Sequence, residues 1–148
     1  MVGIVLVTHG KLGQEMLSTA EGIVGPLDGS RWVSIGVSES MEEIRAKMAA
    51  AIGEVDTGDG VLVLTDMFGG TPSNLAMTFL DNEKVEVVTG VNLPMLIKLA
   101  GLRETGDLQA AARQAGEAGR AAIWVAADLL KAEARGQTPP PDAPGRQA

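Results

Sequence analysis

The chain of 148 residues holds one histidine and no cysteine, so any imidazole chemistry must run through His9. That residue closes the run Val2-Gly-Ile-Val-Leu-Val-Thr-His9-Gly10, and a second apolar run, Val61-Leu-Val-Leu-Thr65, ends in Asp66. An aspartate accepting from the imidazole Nδ1–H fixes the ring tautomer and leaves Nε2 with a free lone pair, which makes it a nucleophile. Directly after Asp66 stand Met67, Phe68, Gly69, Gly70, Thr71, Pro72 and Ser73. Paired glycines open backbone conformations closed to other residues, and Thr71 before Pro72 reads as a helix N-cap with proline at the first helical position. Such a turn aims free N–H groups at one point, which is an anion site. A nucleophile facing an anion site points to phosphoryl transfer to His9, with loop N–H groups holding the equatorial oxygens. A lone histidine or a glycine turn is also commonly structural; what favours chemistry is their pairing with Asp66.

These residues meet only if the elements carrying them are neighbours. Apolar runs without polar alternation read as strands buried on both faces, as in parallel sheets, whose carboxyl ends are where ligands bind in open α/β folds. The chain alternates such runs with helical patterns. After His9, Leu12, Met16, Ala20 and Ile23 recur at helical spacing until Gly25-Pro26. Arg31 to Gly36 is a weaker strand. Ser40-Met-Glu-Glu43 is a capping box, and Met41, Ile44, Met48, Ala51 and Val55 place an apolar stripe on the next helix. Val85 to Thr89 is a further strand, followed by Gly90-Val-Asn92 and a helix with Pro94 in its first turn; Asn92 caps that helix and borders the same crevice. The expected fold is α/β, doubly wound and flavodoxin-like, with a mostly parallel sheet of order 2-1-3-4 that sets His9 beside Asp66, about 5 Å apart in strand spacing. Asp107 to about Ala118 is a helix loosened at its end by Gly116 and Gly119. Ala121 to Ala127 is open between helix and strand, since alanine favours the one and Ile-Trp-Val the other. The folded domain is expected over residues 1–134, with a Pro-rich disordered tail over 135–148.

Composition narrows the function classes. A net charge of −7 with 12 scattered Lys and Arg disfavours non-specific nucleic-acid or anionic-membrane binding, both of which need clustered cations. The absence of Cys removes thiol chemistry and thiolate metal sites and suits a reducing cytosol. The first apolar run is too short to span a bilayer and lacks a basic leader, so no membrane insertion or signal peptide is expected. No Walker lysine motif, second His or Cys supports a nucleotide or metal site, so neither metal nor cofactor is expected. With so acidic a chain the anion site must win locally, through backbone dipoles and Lys11 beside His9, unless Lys11 is only a solvated surface residue.

Three segments in order, Val7-Thr-His9-Gly10, Leu64-Thr-Asp66-Met-Phe-Gly69-Gly70-Thr71-Pro72-Ser-Asn74 and Gly90-Val-Asn92-Leu-Pro94, resemble the enzyme IIA domain of the mannose class of the phosphoenolpyruvate-dependent sugar phosphotransferase system. The resemblance implies a cytoplasmic phosphotransferase in which His9 accepts a phosphoryl group from the histidine-containing phosphocarrier protein and passes it to a IIB component for sugar uptake. It further implies Asp66 as the residue that orients His9, and Gly10, Met67, Gly69, Gly70, Thr71 and Ser73 as the phosphoryl cradle, with Lys11, Phe68 and Asn92 at the rim. Members often carry tryptophan where Phe68 stands and a small polar residue where Met67 stands, changes at the rim that docks partners. Relatives form homodimers by exchanging a C-terminal antiparallel strand, which favours strand over helix for 121–127 and would bury Trp124 at a covered sheet edge. Two other readings stay open: a regulatory phosphoacceptor not coupled to transport, and a chelatase-like enzyme binding metal through His9.

Overall fold

The computed structural model describes residues 1–136. Its sheet has four parallel strands, β1 (Gly3–His9), β2 (Ser30–Ile35), β3 (Val61–Thr65) and β4 (Val85–Thr89), in the order β2-β1-β3-β4. Helices α1 (Leu12–Val24), α2 (Met41–Val55), α3 (Thr71–Met77), α4 (Leu93–Leu102), α5 (Leu108–Ala121) and α6 (Ala126–Ala134) follow in sequence, with a single 3₁₀ turn at Arg103–Thr105. The order is the flavodoxin-like one, and it makes β1 and β3 the two inner strands.

Their apolar runs follow from that position. Ile4, Leu6, Leu62 and Leu64 face a core closed by α1, α4 and α5, while Val5, Val7, Val61 and Val63 face another closed by α2 and α3. All eight are fully buried. Burying such a side chain contributes about 1.5–3 kcal/mol, so the two inner strands hold fixed positions and carry whatever lies at their carboxyl ends.

The helix starts follow their caps. Ser40 Oγ accepts the Glu43 N–H, Asn92 Oδ1 accepts the Met95 N–H, and Asp107 Oδ1 accepts the Ala110 N–H. The α2 stripe buries Ile44, Met48, Ala51 and Val55, but Met41 lies exposed. At α3 the register differs by one residue from the sequence expectation: Gly70 is the N-cap, Thr71 the first helical residue and Pro72 the second. With no side-chain cap there, extended Gly70 serves as well as Thr71 would. Helix α5 continues through Gly116 and Gly119 to Ala121. The glycine at 119 lets α5 pack closely on α4, since a Cβ there would meet Met95 Cε at 3.0 Å and Asn92 Oδ1 at 3.2 Å and those side chains would have to give way.

The strand expected over 121–127 does not form. Ala122 to Val125 is an irregular link into α6, with Ile123 and Val125 largely exposed. Val125 is extended (φ −87°, ψ 120°), yet an extended segment becomes a strand only beside a neighbour that takes its hydrogen bonds. Among the described residues no strand lies alongside it, and the alanines from 126 onward return the backbone to helix. The Pro-rich run from Pro139 lies outside the described residues.

Arg103, one of the largest fully buried side chains, was not singled out by its sequence context. Its Nε donates to Val2 O at 3.0 Å, Nη1 to Ser30 Oγ at 3.3 Å and Nη2 to Gly29 O at 3.1 Å. Burial lowers its pKa, against the pull of Glu104 and Asp28. The guanidinium thus ties α4 to the amino ends of β1 and β2, opposite the end that carries His9. Arg103→Ala strands those buried acceptors and is expected to cost about 2–4 kcal/mol in urea unfolding, while leaving the NMR signals of the His9 ring unchanged.

Candidate functional site

Because β1 and β3 are parallel neighbours with Val7 opposite Thr65, the next steps along each strand bring His9 and Asp66 together. Asp66 Oδ2 accepts from the His9 main-chain N–H at 3.0 Å and lies 2.8 Å from the ring Nδ1, while Oδ1 accepts the Met67 N–H at 3.0 Å. The carboxylate is well covered, with 11% of its side chain exposed against 52% for the imidazole. Burial works to raise the Asp66 pKa. The ring bond and amide bond from His9 outweigh it and hold the carboxyl below its ordinary value. An ionised Asp66 is an acceptor only, so the Nδ1 facing it carries the proton and Nε2 keeps its lone pair.

Gly70 defines the other side of the ring. A Cβ at that position would lie 2.9 Å from His9 Cε1 and 3.3 Å from Nε2, so the backbone of Gly70 lies directly against the edge that carries Nε2. Its φ of −98° is ordinary; what glycine gives here is room for the ring in its present position. Gly69 and Gly10 differ, with φ of +92° and +54° in the left-handed region that other residues avoid.

The loop amides divide into two sets. Three of the expected cradle residues spend their N–H groups internally: Gly10 on Ile35 O, Met67 on Asp66 Oδ1 and Gly69 on Ser73 Oγ. Those of Phe68, Gly70, Thr71 and Ser73 have no acceptor among the described residues. Ser73 departs from the expectation, since its fully buried hydroxyl accepts from Gly69 N–H and donates to Gly70 O, leaving only its main-chain N–H for a ligand. The hydroxyl is a staple that holds the glycine turn in shape.

The rim is also resolved. Met67 and Phe68 are exposed, 55% and 69%, and so are surface rather than core. Lys11 is exposed at the start of α1. Asn92 does not offer its side chain to the crevice: Oδ1 caps α4, and Nδ2 donates to Gly119 O at 2.9 Å, joining α4 to α5.

Sequence reading missed Thr8. Fully buried, its Oγ1 accepts the Gly13 N–H at 2.7 Å and so caps the first turn of α1, whose own N-cap residue Lys11 supplies no cap. The Thr8 cap fixes the path of the chain through His9 and Gly10. A hydroxyl interrupting an apolar run was the available signal. Among the described residues no group of three or more His, Cys, Asp or Glu could hold a metal ion, and no helix is long and apolar enough to cross a membrane.

Comparison with known proteins agrees with this geometry. The family model EIIA-man, described as the fructose IIA component of the phosphotransferase system, matches residues 3–115. Over 104 residues the sequence is 36% identical to the mannose-specific EIIAB component of Escherichia coli K12, a match covering 70% of this chain and 32% of that protein. The chain therefore spans about a third of that relative. The fructose-specific EIIA component of Bacillus subtilis is 29% identical over 105 residues, covering 70% of this chain and 72% of the relative. Among solved structures, the mannose/sorbose-specific IIA subunit from Enterococcus faecalis matches with a TM-score of 0.75 at 30% identity, covering 84% of this chain and 93% of that one. The EIIA component from Streptococcus agalactiae, at 23% identity and TM-score 0.78 over 86% of this chain and 99% of that one, supports the fold alone.

Two outcomes follow from the ring's surroundings. Gly70→Ala must displace the imidazole, and is expected to shift the His9 ring signals in NMR with the unfolding midpoint little changed; unshifted signals would contradict the contact. The depressed Asp66 pKa gives a stabilising contribution fully present above the unfolded carboxylate value of about 4 and lost as pH falls through the lower folded value. Asp66→Asn is expected to flatten the acid limb of the stability–pH curve in that window.

Proposed function

The chain belongs to the EIIA-man family, and on that premise we propose that it is a phosphocarrier of the sugar phosphotransferase system. His9 Nε2 takes a phosphoryl group from the histidine-containing phosphocarrier protein and hands it to a IIB component for sugar uptake. The observation that carries the reading is the single Asp66 oxygen shared by the main-chain N–H and ring Nδ1 of His9.

In this mechanism the Nε2 lone pair attacks phosphorus as the donor's N–P bond breaks, its electron pair returning to the donor imidazole. Asp66 keeps the Nδ1 proton in place and offsets the positive charge that develops on the phosphorylated ring. The N–H groups of Gly70, Thr71 and Ser73, with that of Phe68, are directed at the phosphoryl oxygens, where preorganised donors stabilise a transition state without reorganising. No proton leaves the ring and no cofactor takes part. Transfer to IIB is the same step reversed, with a different acceptor nitrogen.

The partners must approach over the exposed ring edge. Leu12, Met67 and Phe68, close to His9 and Asp66 in sequence, are exposed, which suits a small, partly apolar and transient contact. The reading places the protein in the cytoplasm, where the phosphoryl donor is made. A second copy of the chain is the natural neighbour for the segment Ile123 to Val125, where Ile123 and Val125 are exposed, Val125 is extended, and Trp124 Nε1 is buried without a partner among the described residues.

Incubation with phosphoenolpyruvate, enzyme I and the phosphocarrier protein is expected to give an acid-labile phosphate on the wild-type chain and none on His9→Ala. Asp66→Asn is expected to fold and to accept phosphate about 100-fold more slowly or worse. Label persisting in His9→Ala would overturn the assignment, and wild-type rates in Asp66→Asn would overturn the role of the carboxylate.

A further inference from the structure

Four loops at the carboxyl ends of the strands surround His9: residues 10–11, 36–40, 66–70 and 90–92. Lys11 is the only Lys or Arg in any of them. It is exposed, and no hydrogen bond or ion pair engages its side chain among the described residues; its main-chain carbonyl accepts the Glu15 N–H. The cations on the neighbouring helix are engaged: Lys47 pairs with Glu39, and Arg45 bonds Thr78 Oγ1 and stacks over the Phe79 ring at 4.5 Å.

Lys11 is also poorly suited to its place in the fold. It is the N-cap of α1, with no side-chain cap hydrogen bond, and the Thr8 hydroxyl supplies the missing acceptor from β1. Ser, Thr, Asp or Asn would cap that helix better, and a cation there opposes the helix dipole. Residues that contradict their local environment without a compensating contact are concentrated at functional sites. In a chain of net charge −7, a cation whose side chain has no partner among the described residues stands two residues from the nucleophile.

We propose that Lys11 is a catalytic residue whose ammonium group binds the phosphoryl oxygens as the group reaches His9 Nε2. This rests on the phosphoacceptor reading of His9. The ammonium offers three donors and a full charge, adding to neutral loop amides the positive charge that they lack. Lys11 stays protonated throughout; the donor's P–N bond breaks, the bond to His9 Nε2 forms, and no proton is exchanged with the lysine.

Two phosphoryl donors separate this role from docking: the phosphorylated phosphocarrier protein, and phosphoramidate, a small P–N donor with no protein surface. With both, Lys11→Ser is expected to slow phosphorylation of His9 by about tenfold or more, the effect of losing one charge-assisted hydrogen bond, while Lys11→Arg stays near wild type. The unfolding midpoint of Lys11→Ser is expected at or above that of wild type. Wild-type rates for Lys11→Ser with phosphoramidate would overturn the proposal, even if the protein donor is slowed, because the lysine would then serve docking. A lowered midpoint would overturn the argument from local misfit. A wild-type chain that takes phosphate from neither donor would instead sink the reading of His9 itself, and that outcome is distinct because it does not depend on residue 11.

Discussion

One carboxylate oxygen ties the backbone of β1 to the ring at its end. Asp66 Oδ2 takes both the main-chain N–H and Nδ1 of His9, so the strand terminus and the imidazole cannot turn independently. This double engagement requires β1 and β3 to be adjacent and parallel, in the register that sets Val7 against Thr65. Two apolar cores, one on each face of the sheet, hold that register. The hydrophobic interior therefore acts on the site through geometry: it fixes which ring nitrogen faces the carboxylate and which faces out.

The loops around the ring combine self-satisfied and unsatisfied polar groups. Ser73, Thr8 and Asn92 hold backbone segments in place by accepting or donating at loop and helix starts. That bracing leaves the amides of Gly70, Thr71 and Ser73 without internal partners among the described residues, beside a ring edge that a side chain at 70 would displace. Unpaired N–H groups cost least where water reaches them, and a turn at the half-open rim of a sheet is such a place. An anion that replaced this water would meet donors already in position.

The fold was largely legible because the inner strands are so uniformly apolar that no other placement could bury them; their terminal His and Asp followed from the strand order. The site was legible in its principals and blurred in its supports. Ser73 and Asn92 look like ligand-binding groups by type, yet their side chains are spent on loop and helix hydrogen bonds that sequence alone does not assign. Thr8 and Arg103 do structural work through contacts spanning five and over seventy residues, beyond the reach of local pattern. The segment Ala121 to Ala127 was ambiguous because its two propensities conflict, and a strand requires a partner that none of the described residues supplies.

The account turns on which nitrogen of His9 is free, and nitrogen-15 NMR of the ring reads that directly. With the ring neutral, the proton is expected on Nδ1, and after phosphorylation the phosphorus is expected to couple to Nε2. A proton found on Nε2 in the free protein, or phosphorus bonded to Nδ1, would contradict the role assigned to Asp66 and the direction of attack built on it.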